Sequence, residues 1–198
     1  DQDWKLRSKL LLSADCPHIL LEHFARHQNE KRRLAVAENP ACPPDLHRLL
    51  GSDRESRVRQ AVAGNPACPS DLIALLATDK SIGVRSTVAR RNISPPHVFE
   101  HLADDANSRV RQALAGNPAC PPNILIRLSD DMGGVVAGNP SSPPELLEYL
   151  FDETVRFPGF WINKRLLENL LANPACPPGV IVRMADTFPS LRRTIASS

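Results

Sequence analysis

Aromatic residues are scarce in this chain, with six Phe, two Trp and one Tyr among 198 residues. A core must therefore come from Leu, Val, Ile and Ala. No run of about 18 apolar residues occurs, which excludes a membrane-spanning helix. No cleavable signal pattern is present either, and together these absences predict a soluble, cytoplasmic protein with no membrane partner. Period-two alternation is missing throughout, so no strands are expected. Catalytic signatures are missing as well: the sequence holds no Gly-rich phosphate loop, no nucleophile elbow, no H-E-x-x-H and no C-x-x-C. Six histidines (His18, His23, His27, His47, His97 and His101) are scattered. His23 and His27 lie four apart, as do His97 and His101, but neither pair has an evident third ligand. Neither an enzyme, a metal site nor a small-molecule substrate is expected. The net charge of +2 selects no partner, although 19 of the 24 basic residues are Arg.

What the sequence does contain is itself, repeated. AVAENPACPPDL (35–46) returns as AVAGNPACPSDL (61–72), ALAGNPACPPNI (113–124), VVAGNPSSPPEL (135–146) and NLLANPACPPGV (169–180). Anchored on Ser13, Asn39, Asn65, Arg91, Asn117, Asn139 and Asn173, the spacings are 26, 26, 26, 26, 22 and 34 residues. A period of this size is the signature of a solenoid. The frame gives a single domain over 1–198, with repeats 5–30, 31–56, 57–82, 83–108, 109–130, 131–164 and 165–190 and a half repeat at 191–198. The pattern is already in register at Lys5 and stops within a repeat, which predicts a natural chain running past these ends. In each unit a Pro-Pro step starts a helix, because Pro suits the first helical position. Segments such as DLHRLLGSD and DLIALLATD place their apolar residues on one helical face. The second piece, VRQAVAGN, is short enough to be α or 3₁₀ helix. Asn-Pro then stops it.

Cys16, Cys42, Cys68, Cys120 and Cys176 share one repeat position, with Ser94 and Ser142 in the other two copies. Stacked helices lie roughly 8–10 Å apart, whereas a disulfide needs Cα atoms within about 7 Å. Small buried residues lining the turn are expected, not metal ligands or bridges.

Asp53 precedes Arg59 by six residues, and the same gap joins Asp79 to Arg85, Asp105 to Arg111 and Asp186 to Arg192. This spacing resembles the Asp/Arg ladder of HEAT-type repeats, in which the two side chains pair across neighbouring units. These arginines are expected to fix stacking through their bidentate fork. A second basic set, including Lys31, Arg32, Arg54, Arg57, Arg109 and Arg165, lacks a regular acidic partner. It reads either as a solvated helix face or as a rim for a phosphate backbone.

Departures from a repeat are where function is expected. Arg90 and Arg91 replace the Gly-Asn of other anchors. DDMGGVVAGNP has lost four residues, so the superhelix should bend or loosen there. FDETVRFPGFWINKR (151–165) has gained eight and concentrates Phe157, Phe160 and Trp161. That insert either contacts a partner or folds back over the gap left by its shortened neighbour.

The unit V-R-x-A-V-A-x-N-P-x-C-P-P-x-L-L-x-x-L-A-x-D, seen in VRQAVAGNPACPSDLIALLATD (58–79) and VRQALAGNPACPPNILIRLSDD (110–131), resembles the leucine-rich repeat variant family. The resemblance covers nearly the whole chain. It implies an all-α, HEAT-like solenoid of alternating α and 3₁₀ helices, about seven repeats of some 26 residues wound into a right-handed superhelix, with no enzymatic activity. Members of that family carry an N-terminal cysteine-rich domain holding a 4Fe-4S cluster. No clustered cysteines precede Cys16 here, so no cofactor is expected in this chain and such a domain would lie outside it. The leading expectation is an interaction scaffold that binds a protein, with Arg90, Arg91, Phe157, Phe160 and Trp161 as first contacts. Nucleic-acid binding along the basic rim is the first alternative, and the repeat part of a 4Fe-4S sensing protein is the second.

Overall fold

The structure, a computed structural model, describes residues 9–157 and 164–189. Prolines start the longer helices as the sequence implies. Pro43 (φ −65°, ψ 151°) and Pro121 (φ −62°, ψ 145°) hold extended backbone, and Pro44 and Pro122 then open α3 (Pro44–Gly51) and α9 (Pro122–Ala137). The same arrangement opens α10 (Pro144–Arg156) and α12 (Pro178–Thr187). The remaining starts of this type are α1 (His18–Ala25), α5 (Ser70–Leu76) and α7 (Pro96–Ala103).

The intervening pieces are α2 (Glu30–Ala37), α4 (Ser56–Gly64), α6 (Ile82–Ala89), α8 (Ser108–Ala115) and α11 (Lys164–Ala172). Each is an α-helix, where the family resemblance implied 3₁₀. Helices of eight or nine residues do not hold alone in water, so packing must supply their stability. It does: Val58, Val62, Val84, Val88, Val110 and Leu114 are completely buried. Polar side chains cap two of these pieces, α2 and α8. Asn29 Oδ1 accepts from the Lys31 N–H at 2.9 Å, and Asn107 Oδ1 accepts from the Arg109 N–H at 3.0 Å. No strand occurs among the described residues.

The chain falls into two compact units, Asp1–Leu102 and Ala103–Ser198. In the first, α2, α4 and α6 form one row and α1, α3 and α5 form another, with Leu46, Leu50, Leu72 and Leu76 buried in the core. Rungs approach closely where Gly51 meets α5: a Cβ there would lie 2.9 Å from Leu72 Cδ1. In the second unit, α9 packs on α8, α10 and α11, and α10 packs on α12.

The lost residues of the 22-residue spacing have a visible consequence. Between α1 and α2, α3 and α4, α5 and α6, and α7 and α8, a turn separates the two helical pieces. Here they fuse into the 16-residue α9, interrupted only by a kink at Met132 (φ −122°, ψ 19°). Gly133 lets the fused helix close on α10, since a Cβ there would sit 3.2 Å from Leu150 Cδ2. The junction is therefore a kink within one helix.

Two ladders tie rung to rung. In the first, the anchors Asn39, Asn65, Asn139 and Asn173 are buried and donate Nδ2 to two carbonyls of the preceding rung. Asn65 reaches Ala37 O (2.8 Å) and Asn39 O (2.7 Å), while Oδ1 accepts from the Ala67 N–H at 2.9 Å. Asn39, Asn139 and Asn173 repeat this pattern. In the second ladder, arginines pair with aspartates twenty residues ahead: Arg33 with Asp53, Arg59 with Asp79 and Arg111 with Asp131, all bidentate or nearly so. The six-residue gap seen in the sequence serves a different contact. Nη1 of Arg59, Arg85 and Arg111 donates to the backbone carbonyl of Asp53, Asp79 and Asp105, each at 2.7 Å.

Candidate functional site

The cysteine column lies inside the turns, and all five thiols are free and buried. Burial pushes Cys42 and Cys120 up to about 12 and Cys68 up to about 11, so these groups stay thiols at neutral pH. A thiolate is what binds metals and attacks electrophiles. The column is a packing feature.

The doubled arginine divides its roles. Arg90 is exposed, and its Nη1 donates to Ser86 O at 3.2 Å, one turn back. Arg91 is turned inward. Its Nη1 donates to Ala63 O (2.7 Å) and Asn65 O (2.9 Å), the two carbonyls that an anchor Asn would take. The anchor position is thus filled by a longer donor with the same job, which moves Arg91 from the set of partner contacts to the stacking set. Its burial lowers the guanidinium pKa from the ordinary value.

Beside Arg91 the first unit holds an unusual core residue. His47 is fully buried on α3, and neither ring nitrogen has a hydrogen-bond partner. The same repeat position holds Leu21, Ile73 and Phe99 on other rungs of this unit. Burial first, and the Arg91 charge second, push the imidazole below its ordinary 6.5. The unfolded chain therefore takes up the proton more readily than the folded one. Stability should be at full value above pH 6.5 and fall as the pH drops below it. His47→Leu should raise stability at pH 7 by about 1–2 kcal/mol, the scale of burying an unpaired polar group. It should also flatten that acid-side decline, as urea titrations from pH 7.5 to about 5 would show.

Of the basic set, Lys31, Arg54 and Arg57 are exposed in the first unit and Arg109 and Arg165 in the second. Arg32 is half-buried, with Nη1 2.6 Å from His27 Nε2 and its guanidinium 5.7 Å above the Phe24 ring. Arg54 lies 3.6 Å from Glu55 and donates to Gln28 O. Acidic Glu30 and Glu55 are interspersed along this edge, so it is mixed in charge. Asp186 is exposed at the end of α12, whereas Arg192, Phe160 and Trp161 lie outside the described residues.

The kink in α9 opens onto a cavity that could take a ligand. This cavity of about 510 Å³ is lined by residues 129–135 around the kink, by Tyr149, Leu150, Glu153, Thr154 and Phe157 of α10 and its end, and by Arg165 and Leu166 of α11. Tyr149 and Phe157 are half exposed, at 48% and 50%. Arg156 stacks its guanidinium 5.4 Å from the Phe157 ring. Three carboxylates (Asp130, Asp131 and Glu153) and one guanidinium (Arg165) stand among the lining residues. Asp131 is also the acceptor of Arg111 in the ladder. Phe157 and Arg165 both belong to the lengthened segment 151–165, so the shortened repeat and the lengthened one meet at this cavity. Neither irregularity would indicate it alone in the sequence, because the cavity depends on how α9 packs on α10 and α11.

These features define an all-α helical-repeat protein, held by an Asn ladder and an Arg/Asp ladder and interrupted at one kinked junction. Among solved structures the chain is similar to one described as a leucine-rich repeat variant with a novel repetitive protein structural motif. The match has 21% sequence identity and a TM-score of 0.56, and covers 91% of this chain and 80% of that one. The two share a fold. No protein-family model and no curated protein matches the sequence. No described helix is long and apolar enough to cross a membrane.

Proposed function

We propose that the chain is a non-enzymatic scaffold that binds a protein partner, with the cavity at the α9 kink as its docking point. The observation that carries this reading is the coincidence of both sequence irregularities at one cavity with two half-exposed aromatic side chains. Rings that are wet on one side are the residues whose burial contributes most to binding. The lining is apolar at Val135, Leu150, Phe157 and Leu166 and acidic at Asp130 and Glu153. An apolar side chain flanked by Lys or Arg on an extended segment complements it in shape and charge.

An array of synthetic peptides tests this directly. Binders should be enriched in Leu or aromatic residues beside Lys or Arg. Affinity for them should fall at least about tenfold in Tyr149→Ala with Phe157→Ala, the effect of losing roughly 1.4 kcal/mol. Asp130→Lys with Glu153→Lys should weaken basic peptides selectively. The reading fails if no peptide binds, or if binding ignores both double variants. Retention on single- or double-stranded nucleic acid that falls steeply with salt would instead favour the basic residues Lys31, Arg54 and Arg57 of the first unit as the contact surface.

A further inference from the structure

We propose that His18, Glu22 and Asp45 form a binding site for a divalent transition-metal ion of the Zn²⁺ type. Each residue offers one ligand atom, and these atoms lie within 4.8 Å of one another at an exposed position. His18 and Glu22 are one turn apart on α1, with Nδ1 3.9 Å from Oε1, and Asp45 reaches them from the first turn of α3. An imidazole with two carboxylates is a donor set suited to Zn²⁺, Co²⁺ or Ni²⁺, and it leaves coordination positions open to water.

The repeat makes this arrangement informative, because it shows what the same slots hold one rung later. Twenty-six residues on, Glu22 becomes Arg48 and Asp45 becomes Asp71, and those two form an ion pair at 3.1 Å. The first rung therefore sets a carboxylate against a carboxylate where the second sets a guanidinium. His18 is a second departure at the same spot. Its counterpart is Pro44, the proline that opens α3. Along the repeat the His18 slot holds Pro44, Ser70 and Pro96 and the Glu22 slot holds Arg48, Ala74 and Glu100, so of these rungs only the first sets an imidazole and a carboxylate against one aspartate. Facing carboxylates repel, and a bound cation removes that repulsion while the imidazole completes a three-point site. A bound cation accounts for the imidazole and the two carboxylates together.

The test is calorimetric titration of Zn²⁺ into the reduced protein, alongside the absorption spectrum of the Co²⁺ form. One equivalent should bind, with a Co²⁺ spectrum free of thiolate charge-transfer bands. His18→Ala and Asp45→Asn should each weaken binding by more than about tenfold, the lower range seen even for changes outside the ligand set. Glu22→Arg should abolish it while leaving thermal stability equal or higher, since that variant rebuilds the Arg48–Asp71 pair on the first rung. Zn²⁺ should raise the melting temperature of the parent protein and not of Glu22→Arg. The proposal is overturned if the parent protein takes up no Zn²⁺, if all three variants bind as the parent does, or if the Co²⁺ spectrum reports thiolate ligation.

Discussion

Replacing Asn65 by Ala should cost on the order of 3 kcal/mol, read as a lower urea midpoint at unchanged slope. The side chain is 4% exposed and serves three backbone groups at once. Its loss strips the side-chain donor from Ala37 O, one of two donors from Asn39 O (which keeps the Cys42 N–H), and the acceptor from the Ala67 N–H. Buried backbone groups left without partners carry their full desolvation penalty. Asn65→Asp should be no better. It keeps the acceptor for Ala67 but turns a carboxylate toward two carbonyl oxygens. Asn65→Arg should be milder than Asn65→Ala, because Arg91 shows that a guanidinium reaches the same pair of carbonyls on the next rung. If Asn65→Ala unfolds at the parent's urea midpoint, the anchor ladder does not hold the rungs together.

The second large effect falls on Arg59. Its fork grips Asp79 at 2.6 and 2.8 Å, and Nη1 takes Asp53 O, with both side chains less than 10% exposed. Arg59→Ala leaves Asp79 buried without its counter-charge and should cost about 3 kcal/mol, the lower end for breaking a buried pair. Arg59→Lys should recover little, since an ammonium cannot make the two parallel bonds. Arg59→Met with Asp79→Leu should restore most of the loss, because removing both charges also removes their desolvation. The carboxyl of Asp79 gives a pH signature. Burial pushes it up, but the Arg59 hydrogen bond and the Ser81 N–H outweigh burial and leave it below the ordinary 3.8. The pair therefore contributes fully above pH 3.8 and loses that contribution as the pH falls through the lowered value. In Arg59→Ala the acid limb of the stability curve should shift to higher pH.

Both ladders show how far the sequence could be read. Spacing alone located the arginines at 59, 85 and 111 and assigned them to stacking between neighbouring units. It could not say that the carboxylate of Arg59 and of Arg111 lies twenty residues ahead, nor that the six-residue gap leads to a carbonyl. Arg33 escaped notice because His27 stands where an Asp would complete its motif, and yet its Asp53 pair is among the most buried. The anchor asparagines were visible as punctuation before a proline. Their hydrogen bonds to the rung behind were not, although a polar residue recurring in a buried register is the signal that would have found them. Arg91 looked like an exposed charge for the same reason, since a side chain's direction depends on the rung it leans against.

The sequence by itself determined the period, the helices and their proline starts, the Leu, Val and Ala core, and the burial of the cysteines. Each of these follows from local backbone chemistry or from one residue type recurring at one position. The tertiary structure decided which side chains meet. It set Arg91 into the anchor slot, left His47 without a partner in the core, and joined a deletion and an insertion at one cavity. It also gathered His18, Glu22 and Asp45 at one edge. Those facts belong to the register between rungs, which packing fixes and which no single repeat encodes.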